Sequence, residues 1–233
     1  MGTELPAEAR AQVFVVMAAY NEAACLEAVV GEVRALYPHV VVVDDGSSDD
    51  TFAAACRSAS YALRHAVNRG QGAALQTGID FALREGAGFI VTFDADGQHR
   101  VEDISGLVEP ILTGECDITL GSRFLGGHVD MPRLRRLVLR GAVLFTRMVS
   151  QVRLTDAHNG FRGFSRRAAA RVNITLDRMA HASELIDQIR HSGFPYREVP
   201  VQIRYTEYSL AKGQSARGAF RIVFDYLMRR LVE

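Results

Sequence analysis

The sequence has no tryptophan, only six prolines and no excess of either charge, its 27 Lys+Arg being matched by 27 Asp+Glu over 233 residues. That balance argues against a general nucleic-acid binder, whose attraction to phosphates requires a clear basic surplus, so any positive patch must be local. Cysteine is scarce too. Cys25, Cys56 and Cys116 are an odd number, far apart, with neither CxxC nor Cys/His zinc spacing. They read as buried thiols in a reducing compartment, with the cytoplasm as the default location. No window of about 18 uninterrupted apolar residues occurs, and the opening MGTELPAEAR lacks a basic region leading into an apolar stretch, so neither a membrane span nor a secretion signal is expected.

What is present is ample apolar material: 48% of residues are hydrophobic and 23% charged. A chain of this length can remove roughly 70% of its unfolded surface from water, enough for one large core without staples. The first half alternates short β-branched runs with helix-period segments, the pattern of βαβ units on a parallel sheet. Strands are expected at Val13 to Met17, Val40 to Val43, Ala62 to Ala66, Phe89 to Phe93 and Ile118 to Leu120. Helices are expected over Asn21 to Tyr37, Thr51 to Ala59, the segment opened by Asn68, Gly70 and Gly72, and Val101 to Leu112. The remainder reads as a turn in TDAHNGFRGF, short helices around Arg166 to Val172 and Ser183 to His191, a strand near Val199 to Tyr205 and a last helix from Ala216.

The chemistry clusters where these strands end. In DADGQ, Asp94 and Asp96 leave an apolar strand at i and i+2, an arrangement that is costly unless positive charge sits beside it. Hard oxygen ligands suit Mg²⁺ or Mn²⁺, and Mg²⁺ is commonly held by one or two carboxylates plus substrate phosphates. The pair therefore suggests a diphosphate bound through a metal, with Gln98 as a further oxygen ligand. A lone DxD is usually a solvated turn; the joint placement changes that weighting. Asp44 and Asp45 end another strand and run into Gly46, Ser47 and Ser48, a small-residue turn that would let a ligand approach the backbone while a serine caps the next helix. Tyr20, Asn21 and Glu22 follow the first strand. All lie at carboxyl ends, where open α/β sheets bind ligands.

The ordered segments AAYNE (18 to 22), VVDDGSSDDT (42 to 51), NRGQGAALQTGID (68 to 80), DADGQH (94 to 99), GSRF (121 to 124) and DAHNGFRGF (156 to 164) resemble glycosyltransferase family 2. Within it the chain is most similar to the polyprenyl-phosphate sugar transferases of the dolichyl-phosphate mannose synthase type, over roughly residues 13 to 205. The resemblance implies a GT-A fold, an α/β architecture with a Rossmann-like, mainly parallel central sheet. It implies a nucleotide-diphosphate-sugar donor, UDP- or GDP-linked, a divalent metal and inversion at the anomeric carbon. Ala19, Tyr20, Glu22, Asp45, Gly46, Gly72, Asp94 and Ala95 would bind the donor, and Asp94, Asp96 and Gln98 the metal. Residues 1–12 would be a tail, 13–120 the donor half, 121–205 the acceptor half, and 206–233 a loop and amphipathic helix.

Two acceptors remain open. A polyprenyl phosphate is already anionic and needs no strong base, only positive charge, for which Arg123, Arg162 and Arg204 are candidates. A saccharide hydroxyl needs a carboxylate to take its proton, and Asp156 is the candidate, against the plainer reading of an Asx turn or a partner for Arg162. His99 and His158 are candidate supporting contacts, the other histidines being read as structural or surface. Glu184 falls where the family often has an acid, although a helix-surface glutamate explains it equally well.

Arg133 to Arg153 interleaves basic and apolar residues, as does the last helix. Peripheral contact with the inner face of a membrane, a partner subunit or second copy, and ordinary packing all stay open. Three features depart from the family pattern: Ala18 and Arg100 stand where prolines are usual, and no transmembrane helices follow. A nucleotidyltransferase would carry a Gly-rich loop after the first strand, which AAYNE lacks. A non-catalytic nucleotide-sugar-binding subunit is the remaining alternative.

Overall fold

The protein is described here from a computed structural model, over residues 4–125, 154–156, 159–175 and 181–204. In chain order the elements are α1 (Ala7–Arg10), β1 (Val13–Ala19), α2 (Leu26–Arg34), β2 (His39–Asp44), α3 (Thr51–Ser58), β3 (Tyr61–Arg64), α4 (Gln71–Arg84), β4 (Phe89–Thr92), α5 (Asp103–Leu112), β5 (Ile118–Ser122), β6 (Arg162–Ser165), α6 (Arg166–Ala169), α7 (His181–Ser192) and β7 (Tyr196–Pro200). The strands form one seven-stranded sheet in the order β3-β2-β1-β4-β6-β5-β7. β1 to β4 are mutually parallel, β7 runs parallel to β5, and β6 lies antiparallel between β4 and β5. This is the mainly parallel α/β sheet expected.

The apolar runs of the central strands are buried on both faces, as strands covered by helices on each side must be. Strand alternation divides the core in two. Val13, Val15, Met17 and Ala19 face one way with Leu26, Val30 and Val33 of α2 and Ile104, Leu107 and Val108 of α5. Phe14 and Val16 face the other way with Leu75, Ile79 and Ala82 of α4 and Leu185, Ile186 and Ile189 of α7. Close contact between α4 and β1 depends on Gly78, where a Cβ would sit 2.4 Å from Val16 Cγ1.

Several expectations need correction. The helix expected from Asn21 begins only at Leu26, because Asn21 adopts a left-handed φ of 54° that no α-helix contains. Residues expected as an N-terminal tail include α1 and bury Leu5 and Ala9. Among the described residues the last strand is Tyr196–Pro200, where one near Val199 to Tyr205 was expected, and Ile203 forms only an isolated bridge to His99. The largest difference is β6, which occupies the RGFS end of a segment read as a turn. It has no apolar alternation, but it is paired on both sides, and a Cβ on Gly163 would lie 2.4 Å from Thr119 Oγ1. The glycine thus admits the strand where another residue would clash. Of the three cysteines read as buried, only Cys116 is; Cys25 is half-buried and Cys56 exposed. Arg133 to Arg153, His158, the loop from residue 206 and the final helix lie outside the described residues.

Candidate active site

β1, β2 and β4 end on the same edge of the sheet, so Tyr20 to Glu22, Asp45 and Asp94 to Gln98 emerge together. Ala19 is buried and its carbonyl accepts the Asp45 amide at 2.8 Å, joining the first two motifs. Asn21 stitches them further: its amide donates to Ser47 Oγ at 2.9 Å, and its Oδ1 accepts from the Ser48 amide at 3.0 Å. The Glu22 amide donates to Thr51 Oγ1 at 2.8 Å. Ser47 is therefore a brace between loops and not a helix cap; no side chain caps α3 at Asp50. Tyr20 is exposed, free to lie along a flat ligand.

Asp45 is held inside the protein. Its Oδ1 receives His65 Nδ1 at 2.7 Å and the Arg69 amide at 2.9 Å, and its Oδ2 receives the Gly70 amide at 2.7 Å. Gly46, with φ +71°, does permit a close backbone approach, but the visitor is the chain itself: a Cβ there would be 2.7 Å from Asn68 N. This loop delivers α4, in which Gly72 is buried and Gln71 Nε2 donates to Asp94 Oδ1 at 3.2 Å.

Asp94 also receives His99 Nε2 on Oδ2 at 2.9 Å. His99 is buried against Phe93 and Phe161, 5.4 and 4.6 Å between ring centroids, and holds the acid from behind. Gly160 presses on the same carboxylate, where a Cβ would be 2.9 Å from Oδ1. Ala95 is buried and its carbonyl accepts from Cys25 Sγ at 3.3 Å, closing the loop onto α2. Burial, then the neighbouring Asp94, push the Asp96 carboxyl above its ordinary range, although the Gln98 amide donates to its Oδ1 at 3.0 Å. Such a shift marks two half-buried acids close together, where desolvation and mutual repulsion outweigh the hydrogen bond. Among the described residues no group of three or more His, Cys, Asp or Glu is placed to hold a metal. Asp94, Asp96 and the Gln98 side-chain oxygen are the hard oxygen donors of this loop, of a kind that suits a divalent ion whose other ligands are phosphates and water.

The residues expected on the acceptor side come together differently from expectation. Arg123, not Arg162, is the partner of Asp156: its Nε and Nη2 donate to the two carboxylate oxygens at 2.6 and 2.7 Å, and its amide adds a bond of 3.2 Å. Glu198 accepts from the Thr155 and Asp156 amides at 2.8 and 3.1 Å, fixing this turn to β7. Arg162 is buried, and burial lowers its guanidinium to about 10 against the opposing pull of Asp94 and Asp156. It remains a cation at neutral pH, lodged near both acids. Arg204 alone among the three arginines is well exposed, at 43% of its side chain, and forms surface ion pairs with Glu32 (3.5 Å) and Glu102 (3.7 Å). Its amide donates to the Gln98 carbonyl at 2.8 Å, which sets it beside the acid loop. Glu184 lies away from this edge and fastens Thr175 to α7, accepting its amide at 3.0 Å.

Sequence reasoning missed His65, Gln71 and Gly160. Gln71 carried a signal, its position in the first turn of α4 within NRGQG; His65 and Gly160 acquire their meaning only from the partners the fold brings to them.

The sheet and the acids along its edge define a nucleotide-binding α/β enzyme scaffold. The profile of glycosyl transferase family 2 matches residues 14–172, and the chain belongs to that family: it is a glycosyltransferase. It is 32% identical over 230 residues to the polyprenol monophosphomannose synthase of Mycolicibacterium smegmatis, covering 92% of this chain and 86% of that protein. It is 29% identical over 241 residues to the UDP-N-acetylglucosamine–dolichyl-phosphate N-acetylglucosaminyltransferase of Methanococcus voltae, covering 94% and 96%. In fold it is similar to the Mycobacterium tuberculosis glucosyl-3-phosphoglycerate synthase solved with Mn²⁺ and UDP-glucose, with a TM-score of 0.66, 22% identity and coverage of 94% and 78%. Among the described residues no helix is long and apolar enough to cross a membrane.

Proposed function

We propose that this protein is an inverting, metal-dependent transferase that moves a sugar from a nucleoside-diphosphate donor to a polyprenyl phosphate. The observation that carries the acceptor class is the Arg123–Asp156 fork. Both oxygens of Asp156 are bound by one guanidinium in a side chain only 1% exposed, so the site presents no free carboxylate there to deprotonate a hydroxyl. A phosphate monoester brings its own anionic oxygen and needs none. The two named relatives point the same way, one named as a transferase to dolichyl phosphate and the other as a synthase of polyprenol monophosphomannose.

The donor lies across the ends of β1, β2 and β4, its nucleoside beside Tyr20 and Glu22 and its diphosphate toward Asp94 and Asp96. Asp94, Asp96 and Gln98 would hold Mg²⁺ or Mn²⁺, which when bound supplies the positive charge that stabilises a leaving diphosphate. An acceptor phosphate oxygen forms the new bond to the anomeric carbon from the face opposite the leaving group. The old carbon–oxygen bond breaks, and the nucleoside diphosphate departs with the electron pair. No proton has to move. Arg204, exposed beside the acid loop, orients the acceptor phosphate; Arg162 balances Asp94 and Asp156 from within.

The test is a panel of UDP- and GDP-sugars with Mn²⁺, with and without a polyprenyl phosphate, read by product analysis. Sugar transfer only when the lipid phosphate is present supports the reading. Transfer to a saccharide hydroxyl with the lipid phosphate inert, or donor binding without any turnover, would overturn it.

A further inference from the structure

We propose that His65 is a positioning residue of the donor site: through Asp45 it fixes the 65–70 loop against the end of β2 and so sets the first turn of α4. This rests on the donor reading above and adds to it a residue with no assigned role. The His65 ring bridges two elements, with Nδ1 2.7 Å from Asp45 Oδ1 and Nε2 3.0 Å from Thr77 Oγ1. Its side chain is 9% exposed and that of Asp45 3%. Because its partner is a carboxylate, Nδ1 carries the hydrogen and donates.

The remaining partners of Asp45 show what this bond controls. The carboxylate also accepts the Arg69 and Gly70 amides, and the His65 amide donates to the Asp44 carbonyl at 2.9 Å, so the loop closes on the strand end at both of its ends. Between them Val67 and Asn68 rest on Gly46, whose missing Cβ makes the contact possible. Gly70 then turns the chain, with φ 92°, into α4, where Gln71 reaches Asp94. A buried carboxylate with one donor removed keeps its desolvation penalty and loses part of its compensation, so Asp45 would draw in water or swing, and the loop with it. The effect falls on a ligand lying across β1, β2 and β4 and not on the acceptor half, where His65 has no partner among the described residues.

Three variants of the full chain separate positioning from packing. In His65→Asn the side-chain amide nitrogen can take the place of Nδ1 and donate to Asp45; in His65→Gln it takes the place of Nε2 and reaches only Thr77. With UDP-glucose and GDP-mannose as probes and Mn²⁺ present, His65→Ala should weaken binding of whichever donor the native protein takes by about tenfold or more, the scale of one lost bond to a charged group. His65→Asn should recover binding to within about threefold and His65→Gln should not, while kcat at saturating donor stays near native in all three. Amide exchange at Arg69 and Gly70 should quicken in the Ala and Gln variants alone. Equal donor affinity across the three, rescue by Gln in place of Asn, or a loss confined to kcat would overturn the positioning role. If native protein binds neither probe, the donor reading fails, and unchanged exchange at Arg69 and Gly70 in His65→Ala would then reject the clamp independently.

Discussion

The two halves of the sheet are built on different logic. On the β3-β2-β1-β4 side, apolar strands run parallel and deliver acids to one edge, so position along the chain and position in space agree. On the β6-β5-β7 side, a glycine-bearing strand is inserted antiparallel, and charged groups find partners far away: Arg123 with Asp156, Glu198 with Thr155, Asp117 with Arg167. Both sides bury apolar residues and both hold carboxylates in side-chain pairs, Asp45 with His65 and Asp94 with His99 on the first and Arg123 with Asp156 on the second; what differs is that the parallel strands collect their acids at one edge.

The sharpest way to break this contrast is at the acid pair. Asp96→Asn removes a carboxyl already pushed up by burial and Asp94, so repulsion is relieved and thermal stability should hold or rise. Transfer should nevertheless fall by on the order of a hundredfold or more, as when a group that stabilises developing charge is removed. Activity near native would refute the metal assignment.

On the other side the same kind of change should act through stability. Arg123→Ala leaves Asp156 buried without its fork, and breaking a buried pair costs about 3–5 kcal/mol, visible as a lower denaturant midpoint. Acceptor use should weaken more than donor binding. Unchanged stability together with unchanged acceptor kinetics would contradict the pairing.

Gly163→Ala probes the inserted strand. A Cβ 2.4 Å from Thr119 Oγ1 and 3.3 Å from the Leu107 carbonyl should cost roughly 2–3 kcal/mol. Gly31→Ala, in α2 with nothing within 4 Å, should be neutral or stabilise by about 0.5–1 kcal/mol. Equal melting temperatures for the two variants would mean that β6 is not packed as described.

The smallest expected effect is on the acid limb of stability. Asp117 is held below its usual range by hydrogen bonds from Arg167 and then Ser165. A carboxyl depressed in the folded state stabilises above its unfolded value, about 4, and that contribution fades as pH falls through the lower folded value. Urea midpoints of native protein and Asp117→Asn should therefore differ at pH 6 and converge toward pH 3. A constant gap would show that the pair contributes nothing through ionisation.

Legibility in the sequence follows the same division. Val13 to Met17, Val40 to Val43 and the DADGQ loop were readable because apolar periodicity and acids at strand ends are local facts. β6 was not, since RGFS has the composition of a turn and becomes a strand only because β4 and β5 offer open edges on both sides. Asp45 and Gly46 were read as part of a turn that a ligand could approach, whereas the close approach at Gly46 is made by the 67–68 backbone, which no spacing rule reveals. Arg123, Arg162 and Arg204 were equivalent as letters; burial separates them, leaving Arg204 exposed and lodging Arg162 near two acids.

Calorimetric titration of UDP-glucose and of GDP-mannose into the native protein and Asp96→Asn, each with and without Mn²⁺, would decide whether the acid edge binds a donor diphosphate through a cation. One donor should bind the native protein tightly with Mn²⁺ and at least tenfold more weakly without it, while Asp96→Asn should bind weakly under both conditions. Donor binding that is indifferent to Mn²⁺, or equal in the variant, would contradict that role for Asp94, Asp96 and Gln98.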